Sequence, residues 1–350
     1  MAVECVSSAP VVGGMLEDLS ARSAALQAEG VQPKLFVVSS FPNEPAIRSY
    51  VGQARREAPQ GGVLYVPRFS NGNLGRAEQF IDEANGTIGA GTIYMSPHEP
   101  LSSDKPTLAL QQQRWRRLVG GILPHRDADS LASQDFTYPN TALSVLRLGT
   151  YMTGQNYQDM DPSRVVFYGL GDLVNKPAWV RMLKLLGLEV PDLELVANDI
   201  KHANVNRDGY PLVITRELGN PDELDNLGDR AELVIAAAGV AEKILPVHLR
   251  RPVGSRRGPI RVVDAAYKKD SEGIAHGNLH RAVYDRRLDF TAFVTPWSAE
   301  RGPHDAVGPL TVAYLLDHTV QAAEIDAGLV RRDAASGQLL RVGSAALRRQ

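Results

Sequence analysis

The sequence predicts an α/β protein with mostly parallel strands, and two observations support that class. Short runs of β-branched and aromatic residues alternate with longer helical patterns along the 350-residue chain, and this alternation is typical of α/β architecture. The run at 164–168 leads directly into a glycine-containing turn and a helix with Pro177 near its first turn, which is the strand–turn–helix unit of a doubly wound sheet. The length allows two domains.

The first half of the chain is predicted to alternate strand and helix. Each strand prediction rests on a β-branched or aromatic run, and each helix prediction on a longer segment with helical periodicity. The strands are expected at 35–39, 62–67, 92–95 and 120–123, and the helices at 15–29, 44–57, 75–83 and 106–117.

The second half repeats this alternation. A helix at 176–186 turns Val180, Leu183 and Leu186 towards the sheet and ends at Gly187, as helix C-termini often do. Strands are expected at 164–168, 193–197, 233–237, 261–264 and 290–294.

A domain boundary is predicted near 150–162, because 151–162 is polar and ends in Asp-Pro. The helix at 308–325 is apolar enough to pack back on the first domain. We therefore expect one domain from 1–150 with 308–350, and a second from 151–307.

Composition and charge favour a cytoplasmic enzyme. The net charge of -2 gives no electrostatic reason to expect nucleic acid or an anionic membrane as a partner. The single cysteine, Cys5, excludes an intramolecular disulfide and lies in an N-terminal segment that we expect to be mobile. No apolar run approaches the roughly 20 residues that span a bilayer. We predict no metal site, since Gly273 and Gly277 disfavour a helix that would align His276 with His280.

The turn after 164–168 suits a dinucleotide phosphate. Glycines let the backbone approach a pyrophosphate, and free N–H groups at a helix N-terminus meet its charge. Val174 replaces the third glycine of the G-x-G-x-x-G pattern, so an ordinary tight turn remains the alternative. The predicted cofactor contacts here are Gly169, Gly171, Asp172, Leu173, Val174 and Lys176.

Two further segments extend this predicted cofactor site. Asp199 follows the strand at 193–197, where a carboxylate can accept hydrogen bonds from the ribose hydroxyls of NAD and would repel a 2′-phosphate. The alternative is that Asp199 only caps a turn. Ala238 and Gly239 are small residues that would let a ligand approach the backbone after the strand at 233–237.

Four segments, in order along the chain, carry a family resemblance. They read Ser-Tyr-Val-Gly-Gln-Ala-Arg-Arg-Glu-Ala at 49–58, Asp-Ala-Asp-Ser at 127–130, Gly-Leu-Gly-Asp-Leu-Val-Asn-Lys-Pro at 169–177 and Val-Gly-Pro-Leu-Thr-Val-Ala-Tyr-Leu-Leu at 307–316. They resemble Ser-Tyr-Val-x-x-Lys-x-Lys-Ala, Asp-Val-Asp-Gly, Gly-Arg-Ser-x-x-Val-Gly-x-Pro and Val-Gly-Pro-Met-Thr-Val-Ala-x-Leu-Leu of the methylenetetrahydrofolate dehydrogenase/cyclohydrolase family.

The resemblance covers about 15–325 and implies an N-terminal α/β catalytic domain, a Rossmann-type NAD(P)-binding domain and a homodimer. It implies a folate substrate in a cleft between the domains, with Tyr50 stacking on the folate and Asp129 holding the pterin ring. A surface-loop aspartate is the alternative for Asp129. The other substrate contacts that it implies are Pro296, Gly308, Pro309 and Thr311.

Several departures from the family pattern concern the chemistry. Ala54 replaces the lysine that drives hydrolysis, and Met95 falls where the family has an active-site glutamine. Leu170 replaces an arginine that the resemblance associates with the NADP phosphate, and Asn175 replaces a glycine.

These departures predict an NAD-dependent dehydrogenase with weak or absent cyclohydrolase activity, NADP remaining possible. Hydride transfer from methylenetetrahydrofolate removes no proton, whereas hydrolysis of the methenyl product needs general acid/base help worth roughly 10²–10⁴-fold. One alternative is a repurposed one-carbon enzyme that binds folate but uses no nicotinamide, suggested by longer loops at 201–211 and 297–306. Another is a catalytically silent folate-binding protein.

Overall fold

The computed structural model describes most of the chain in two compact units. One unit joins Met1–Val11 to Thr141–Thr311, and the other joins Val12–Asn140 to Val312–Gln350; we call them the six-stranded unit and the three-stranded unit. The predicted domain limits stay a prediction. The described residues are 3–40, 45–95, 105–130, 138–169, 174–189, 210–214, 224, 227–238, 242–251, 258–266, 268–269, 274–284, 291–296, 304–332 and 339–341.

The elements confirm the α/β class. The strands are β1 Val3–Cys5, β2 Lys34–Ser39, β3 Leu64–Phe69, β4 Ala90–Met95, β5 Val165–Tyr168, β6 Leu212–Ile214, β7 Leu233–Ala236, β8 Ile260–Asp264, β9 Lys268–Lys269, β10 Ala275–His276, β11 Ala292–Val294, β12 Val330–Arg332 and β13 Leu339–Arg341. The helices are α1 Ala9–Ala28, α2 Pro45–Glu57, α3 Leu74–Asn85, α4 Lys105–Gly120, α5 Asn140–Thr153, α6 Asn175–Leu185, α7 Leu227–Arg230, α8 Pro246–Leu249 and α9 His304–Asp326.

The three-stranded unit has a parallel sheet in the order β3-β2-β4. Ser39, at the end of β2, pairs with Phe69 and Met95, so all three strands end at the same edge. Apolar residues on α3 and α4 cover one face of this sheet. Together with the strand residues they form a core of Val38, Ala77, Ile81, Tyr94, Leu118, Val119 and Ile122.

The strand predicted at 120–123 is wrong. Helix α4 continues to Gly120, and the amide of Gly121 donates to the carbonyls of Arg117 and Leu118. The apolar residues Leu118 and Ile122 are one helical turn apart and are buried on the same side. Their burial therefore follows the helical period, which a four-residue window does not distinguish from a strand.

Helix α9 begins before the predicted start at 308, so His304 lies in a helix rather than in the predicted loop. Pro309 consequently lies inside the helix, where it cannot donate the usual backbone hydrogen bond. Later in the helix, Thr319 packs on β4: a Cβ atom on Gly91 would lie 2.7 Å from the Thr319 Cα. The predicted packing of this helix on the first part of the chain is confirmed.

The six-stranded unit contains the parallel sheet β1-β11-β8-β7-β5-β6. The chain leaves β5 for β6 on one side and later returns to β7 on the other side. In such sheets, this reversal opens a crevice at the carboxyl ends of the strands. The strand predicted at 193–197 lies outside the described residues.

The sequence predicted a mobile N-terminal segment, and this prediction is wrong for Val3–Cys5, which form strand β1. Val3 and Cys5 pair in parallel with Ala292 and Val294, and the amide of Val6 donates to the Val294 carbonyl at 2.8 Å. The pairing adds an edge strand whose partner is far along the chain, so local sequence carries little signal for it. Cys5 is exposed and forms no disulfide.

The end of helix α6 follows the prediction closely. Gly187 has a φ of +68°, and the amide of Leu188 donates to the carbonyl of Leu183 at 2.9 Å. This closure satisfies carbonyls that the helix leaves open at its C-terminus. Val180 and Leu183 are buried, as predicted. Among the helices that the structure describes, none has the length and apolar character to cross a membrane.

Candidate functional site

A short loop after β4 positions Asp129 in the three-stranded unit. Asp127 forms an isolated bridge with Thr92 of β4, and the amide of Ala128 donates to the Thr92 carbonyl at 2.9 Å. Ser130 then has a φ of +55°, a left-handed conformation that glycine adopts more readily than serine does. Strand β4 thus fixes the part of the loop that comes just before Asp129.

Two buried side chains hold the other side of this loop. Asn140 donates its Nδ2 group to the Ala128 carbonyl at 2.9 Å, and His318 Nδ1 lies 3.0 Å from the same oxygen. Because a carbonyl only accepts, Nδ1 of His318 must carry a proton. Burial lowers the pKa of His318, which favours the neutral ring.

Asp129 and Tyr50 are neighbours in this unit. Burial, followed by the negative charge of Asp127, raises the pKa of Asp129 to about 7, and hydrogen bonding from Asn140 opposes the rise. Burial, followed by the negative charge of Asp129, raises the pKa of Tyr50 well above its usual range. Asn140 opposes that shift too, but no hydrogen bond of acceptable geometry reaches the buried Tyr50 hydroxyl. The structure therefore brings together the two residues that the sequence assigned to the folate.

Helix α2 carries Tyr50 on its inner face, and Ala54 and Glu57 continue the same stripe. These positions are separated by four and then three residues, so they lie one above another on a helix. Ala54 is fully buried. Glu57 accepts a hydrogen bond from Gln53 Nε2 at 2.9 Å through Oε1, while its buried Oε2 has no hydrogen-bond partner among the residues that the structure describes. Burial raises the pKa of Glu57.

Met95 is the last residue of β4, at the carboxyl edge of the sheet; its side chain lies outside the described set. Beside it, Ser40 Oγ lies 2.9 Å from the hydroxyl of Tyr94 and 3.1 Å from Ser70 Oγ. This edge is polar, but among the described residues it presents hydroxyl groups rather than an ionisable base.

In the six-stranded unit, β5 and β7 approach closely at their carboxyl ends. Gly169 has a φ of +80°, and a Cβ atom there would lie 2.6 Å from the Ala238 Cα. Asn175 Nδ2 donates to the carbonyls of Tyr168 and Gly169 at 3.0 and 2.7 Å, joining the first residue of α6 to the strand end. Val174 provides no side-chain cap for α6. The predicted strand and helix are therefore present at 165–168 and 175–185, while residues 170–173 of the predicted turn lie outside the described residues.

Comparison with known proteins gives one consistent result. The chain is 22% identical to bifunctional protein FolD 1 of Acinetobacter baylyi over 326 residues, which span 90% of this chain and 92% of that protein. The fold matches that of the Trypanosoma brucei methylenetetrahydrofolate dehydrogenase-cyclohydrolase, solved with NADP and an inhibitor, at 18% identity and a TM-score of 0.65 over 93% of this chain and 98% of that one. Over most of its length the chain is therefore similar to proteins of the methylenetetrahydrofolate dehydrogenase/cyclohydrolase family, and it has their fold.

Other comparisons show how far the chain has diverged from the proteins that it resembles. The NAD-dependent 5,10-methylenetetrahydrofolate dehydrogenase of Saccharomyces cerevisiae is 13% identical, with a TM-score of 0.61 over 93% of this chain and 98% of that one. No family model matches the sequence. This divergence makes the individual site residues, rather than overall similarity, the basis for any statement about activity.

Sequence reasoning missed a buried hydrogen-bond network at the carboxyl ends of β7 and β8. Asp264, at the end of β8, accepts from the amides of Ala266 and Leu279 at 3.0 and 2.8 Å, and burial raises its pKa to about 6. Asn278 exchanges two hydrogen bonds with the backbone of Ala238 at 2.8 and 3.0 Å. The only available signal was an aspartate at a strand end, whose partners are distant in sequence.

The other predicted substrate residues lie in the six-stranded unit. Thr311 is buried, and its Oγ1 donates to the Val307 carbonyl at 2.8 Å and lies 3.3 Å from Ser144 Oγ. Pro296, Gly308 and Pro309 are partly buried, and their roles stay predictions. Lys176 lies in the first turn of α6. The predicted cofactor residues Gly171, Asp172, Leu173, Asp199 and Gly239, together with Leu170, lie outside the described residues.

Proposed function

We propose that this protein oxidises 5,10-methylenetetrahydrofolate to 5,10-methenyltetrahydrofolate by hydride transfer to NAD(P), with weak or absent cyclohydrolase activity. The observation that carries the proposal is the placement of Tyr50 beside Asp129, with buried, apolar Ala54 one turn further along α2. This arrangement has groups that bind and orient a folate, but it lacks the lysine of the family helix.

Asp129 is the proposed anchor for the pterin ring. An ionised carboxylate accepts two N–H hydrogen bonds from an amino-pyrimidine edge, and such charge-assisted pairs are stronger than neutral ones. The pKa of about 7 means that ligand binding itself favours ionisation of Asp129 near neutral pH. Tyr50 supplies an aromatic ring for stacking next to this anchor.

The residues of the six-stranded unit fit a dinucleotide. Gly169 leaves no room for a side chain against Ala238, and the N-terminus of α6 has no side-chain cap among the described residues. Free N–H groups there suit a phosphate. Gly169, Val174, Lys176 and Ala238 would hold the cofactor, which supplies the hydride acceptor when it is bound.

Hydride transfer is compatible with the residues that remain. The step needs no general base, so the protein contributes by holding the two reacting partners in near-contact geometry. Hydrolysis of the methenyl product requires water to lose a proton, and Ala54 offers no group that assists it. We therefore propose that the dehydrogenase reaction is retained and the cyclohydrolase reaction is lost or weak.

The preference for NAD over NADP rests on Asp199 in the sequence. Solved proteins with this fold include one described as NAD-dependent and one in complex with NADP, so the fold accommodates both cofactors. The homodimer and the cytoplasmic location expected from the sequence stay predictions.

The decisive experiment incubates the purified protein with methylenetetrahydrofolate and either NAD or NADP. Absorbance reports reduced nicotinamide and methenyltetrahydrofolate separately. We expect both signals to rise together, with faster turnover for NAD, and added methenyltetrahydrofolate to decay at the rate seen without enzyme. Folate binding with no nicotinamide reduction by either cofactor would instead support the nicotinamide-independent alternative.

A further inference from the structure

The inner stripe of helix α2 differs from the family pattern at positions 54 and 57. Both differences make the net charge of the stripe more negative. The family helix has lysine where this chain has Ala54 and alanine where it has Glu57. A positive charge is therefore removed and a negative charge is added three residues later. Both positions lie on the stripe that begins at Tyr50.

Glu57 lies seven residues after Tyr50, on the same side of helix α2. Side chains on an α-helix lean towards its N-terminus, so the carboxylate of Glu57 extends back towards the preceding turn. Gln53, one turn earlier, holds Oε1 at 2.9 Å. Burial and Asp129 are the larger causes of the raised pKa of Tyr50, and the negative charge of Glu57 adds a smaller contribution in the same direction.

The surroundings of Glu57 make its carboxylate unfavourable for stability. Oε2 is buried and makes no hydrogen bond to any described residue. A buried carboxylate oxygen without a donor costs stability. Arg56, the adjacent cation, is exposed, and its charge opposes the rise in the pKa of Glu57 that burial causes. Alanine at position 57 would avoid the cost, so the unpaired oxygen calls for a functional explanation.

We propose that Glu57 stabilises the positive charge that develops on the folate during hydride transfer. The inference rests on the proposed function. In that reaction a hydrogen and its two electrons leave the bridging carbon for the nicotinamide ring, so the folate is oxidised to a cation and the dinucleotide is reduced. A carboxylate beside Tyr50 stabilises this cation more than it stabilises the neutral substrate, and such differential stabilisation accelerates the step.

The replacement of lysine by Ala54 and the presence of Glu57 have the same effect on the cationic product. A lysine in this stripe would repel the cationic product, whereas the carboxylate stabilises it. Because the methenyl cation is discharged when water attacks it, its stabilisation opposes hydrolysis. Glu57 thus favours the dehydrogenase reaction over the cyclohydrolase reaction in a second way, in addition to the replacement of the family lysine by Ala54.

The test compares Glu57→Gln with the wild-type protein. Glutamine has the same size and retains an oxygen that accepts from Gln53, so it removes the charge with little change of shape. We measure the Kd of methenyltetrahydrofolate, which is cationic at the bridge, and of tetrahydrofolate, which lacks that charge. We expect the variant to bind the cation on the order of tenfold more weakly, with the neutral ligand unchanged. The kcat for hydride transfer should fall similarly.

Glu17→Gln is the matched control, since Glu17 is an exposed carboxylate on α1; it should change neither Kd nor kcat. Equal weakening of both ligands in Glu57→Gln would mean that Glu57 only maintains structure, and would overturn the inference. An unchanged Kd for both folates together with unchanged hydride transfer would overturn it too, since the charge of Glu57 would then have no effect on the cation. If the wild-type protein binds neither folate, the proposed function fails before this inference is tested.

Discussion

The Nδ1 atom of His318 lies 3.0 Å from the carbonyl oxygen of Ala128, the residue that precedes Asp129. Asn140 donates to the same oxygen from the start of α5. Helix α9 and the loop that carries Asp129 are thus joined through one backbone oxygen. The orientation of Asp129 depends on side chains far away in sequence.

Removal of the His318 donor should weaken folate binding more than it slows chemistry. In His318→Leu, the buried Ala128 carbonyl loses one of its two donors, and we expect unfolding to become easier by about 1–3 kcal/mol. The KM for methylenetetrahydrofolate should rise while kcat changes little. Denaturant titration and steady-state kinetics measure the two effects.

His318→Asn provides the control for this prediction, because its amide also donates a hydrogen bond. We expect it to recover much of the lost affinity. A KM for His318→Leu equal to that of the wild-type protein would show that the loop keeps its geometry without His318.

Substitution of Gly169 by alanine should be costly for two separable reasons. The residue has a positive φ, and the added Cβ would lie 2.6 Å from the Ala238 Cα. Gly187→Ala is the comparison, since Gly187 also has a positive φ but has nothing within 4 Å of its added Cβ. We expect a loss of about 1 kcal/mol at Gly187 and at least about 2 kcal/mol at Gly169.

Gly169→Ala should also weaken NAD(P) binding, which calorimetry on the folded variant measures. Equal destabilisation at the two glycines would mean that β5 and β7 move apart easily. The close approach at the crevice would then not constrain the fold.

Restoring the family lysine should restore hydrolysis. Ala54→Lys places an ionisable group one turn from Tyr50, and we expect methenyltetrahydrofolate hydrolysis to accelerate at least about tenfold, since acid/base assistance is typically worth more than that. Because Ala54 is fully buried, the variant should also be less stable.

Ala54→Met controls for side-chain length, and it should show the stability loss without the gain in hydrolysis. An unchanged hydrolysis rate in a folded Ala54→Lys variant would contradict the alignment of α2 with the family helix. The rate is followed by the loss of methenyl absorbance.

Asp129 should make the stability of the protein fall as pH rises. Its folded pKa of about 7 lies above the unfolded value of about 3.9, so the folded state binds its proton more tightly. Ionisation of Asp129 therefore lowers the free energy of unfolding. This loss is absent below about pH 4 and grows until the pH passes about 7.

Asp129→Asn should therefore be more stable than the wild-type protein at pH 8, and the difference should shrink as pH falls towards 4. Urea titrations at pH 8, 6 and 4 measure it. The variant should also lose folate affinity at every pH. A stability difference that is the same at all three pH values would contradict a raised pKa for Asp129.

The parts of the fold that follow from local pattern were predictable. Periodicity identified helices such as α2 and α6, and Gly187 marked the end of α6, because propensity and capping act over a few residues. The same reasoning failed at 120–123, where four apolar and glycine residues fit either a strand or the end of a helix. It also missed β1, whose pairing partner is 289 positions away (292 minus 3).

The candidate site also combines features that the sequence predicted with features that only the structure shows. Residue identity along the chain was enough to select Tyr50 and Asp129, to note the missing lysine at Ala54 and to place glycine at the turn after β5, since these choices depend on chemical type and spacing. Only the tertiary structure brought Asp129 near enough to Tyr50 for its charge to act on the hydroxyl, held its loop by His318 and buried Oε2 of Glu57. Burial and charge–charge interaction depend on distances in space, and hydrogen bonds between α9 and the loop after β4 leave no local pattern in the sequence.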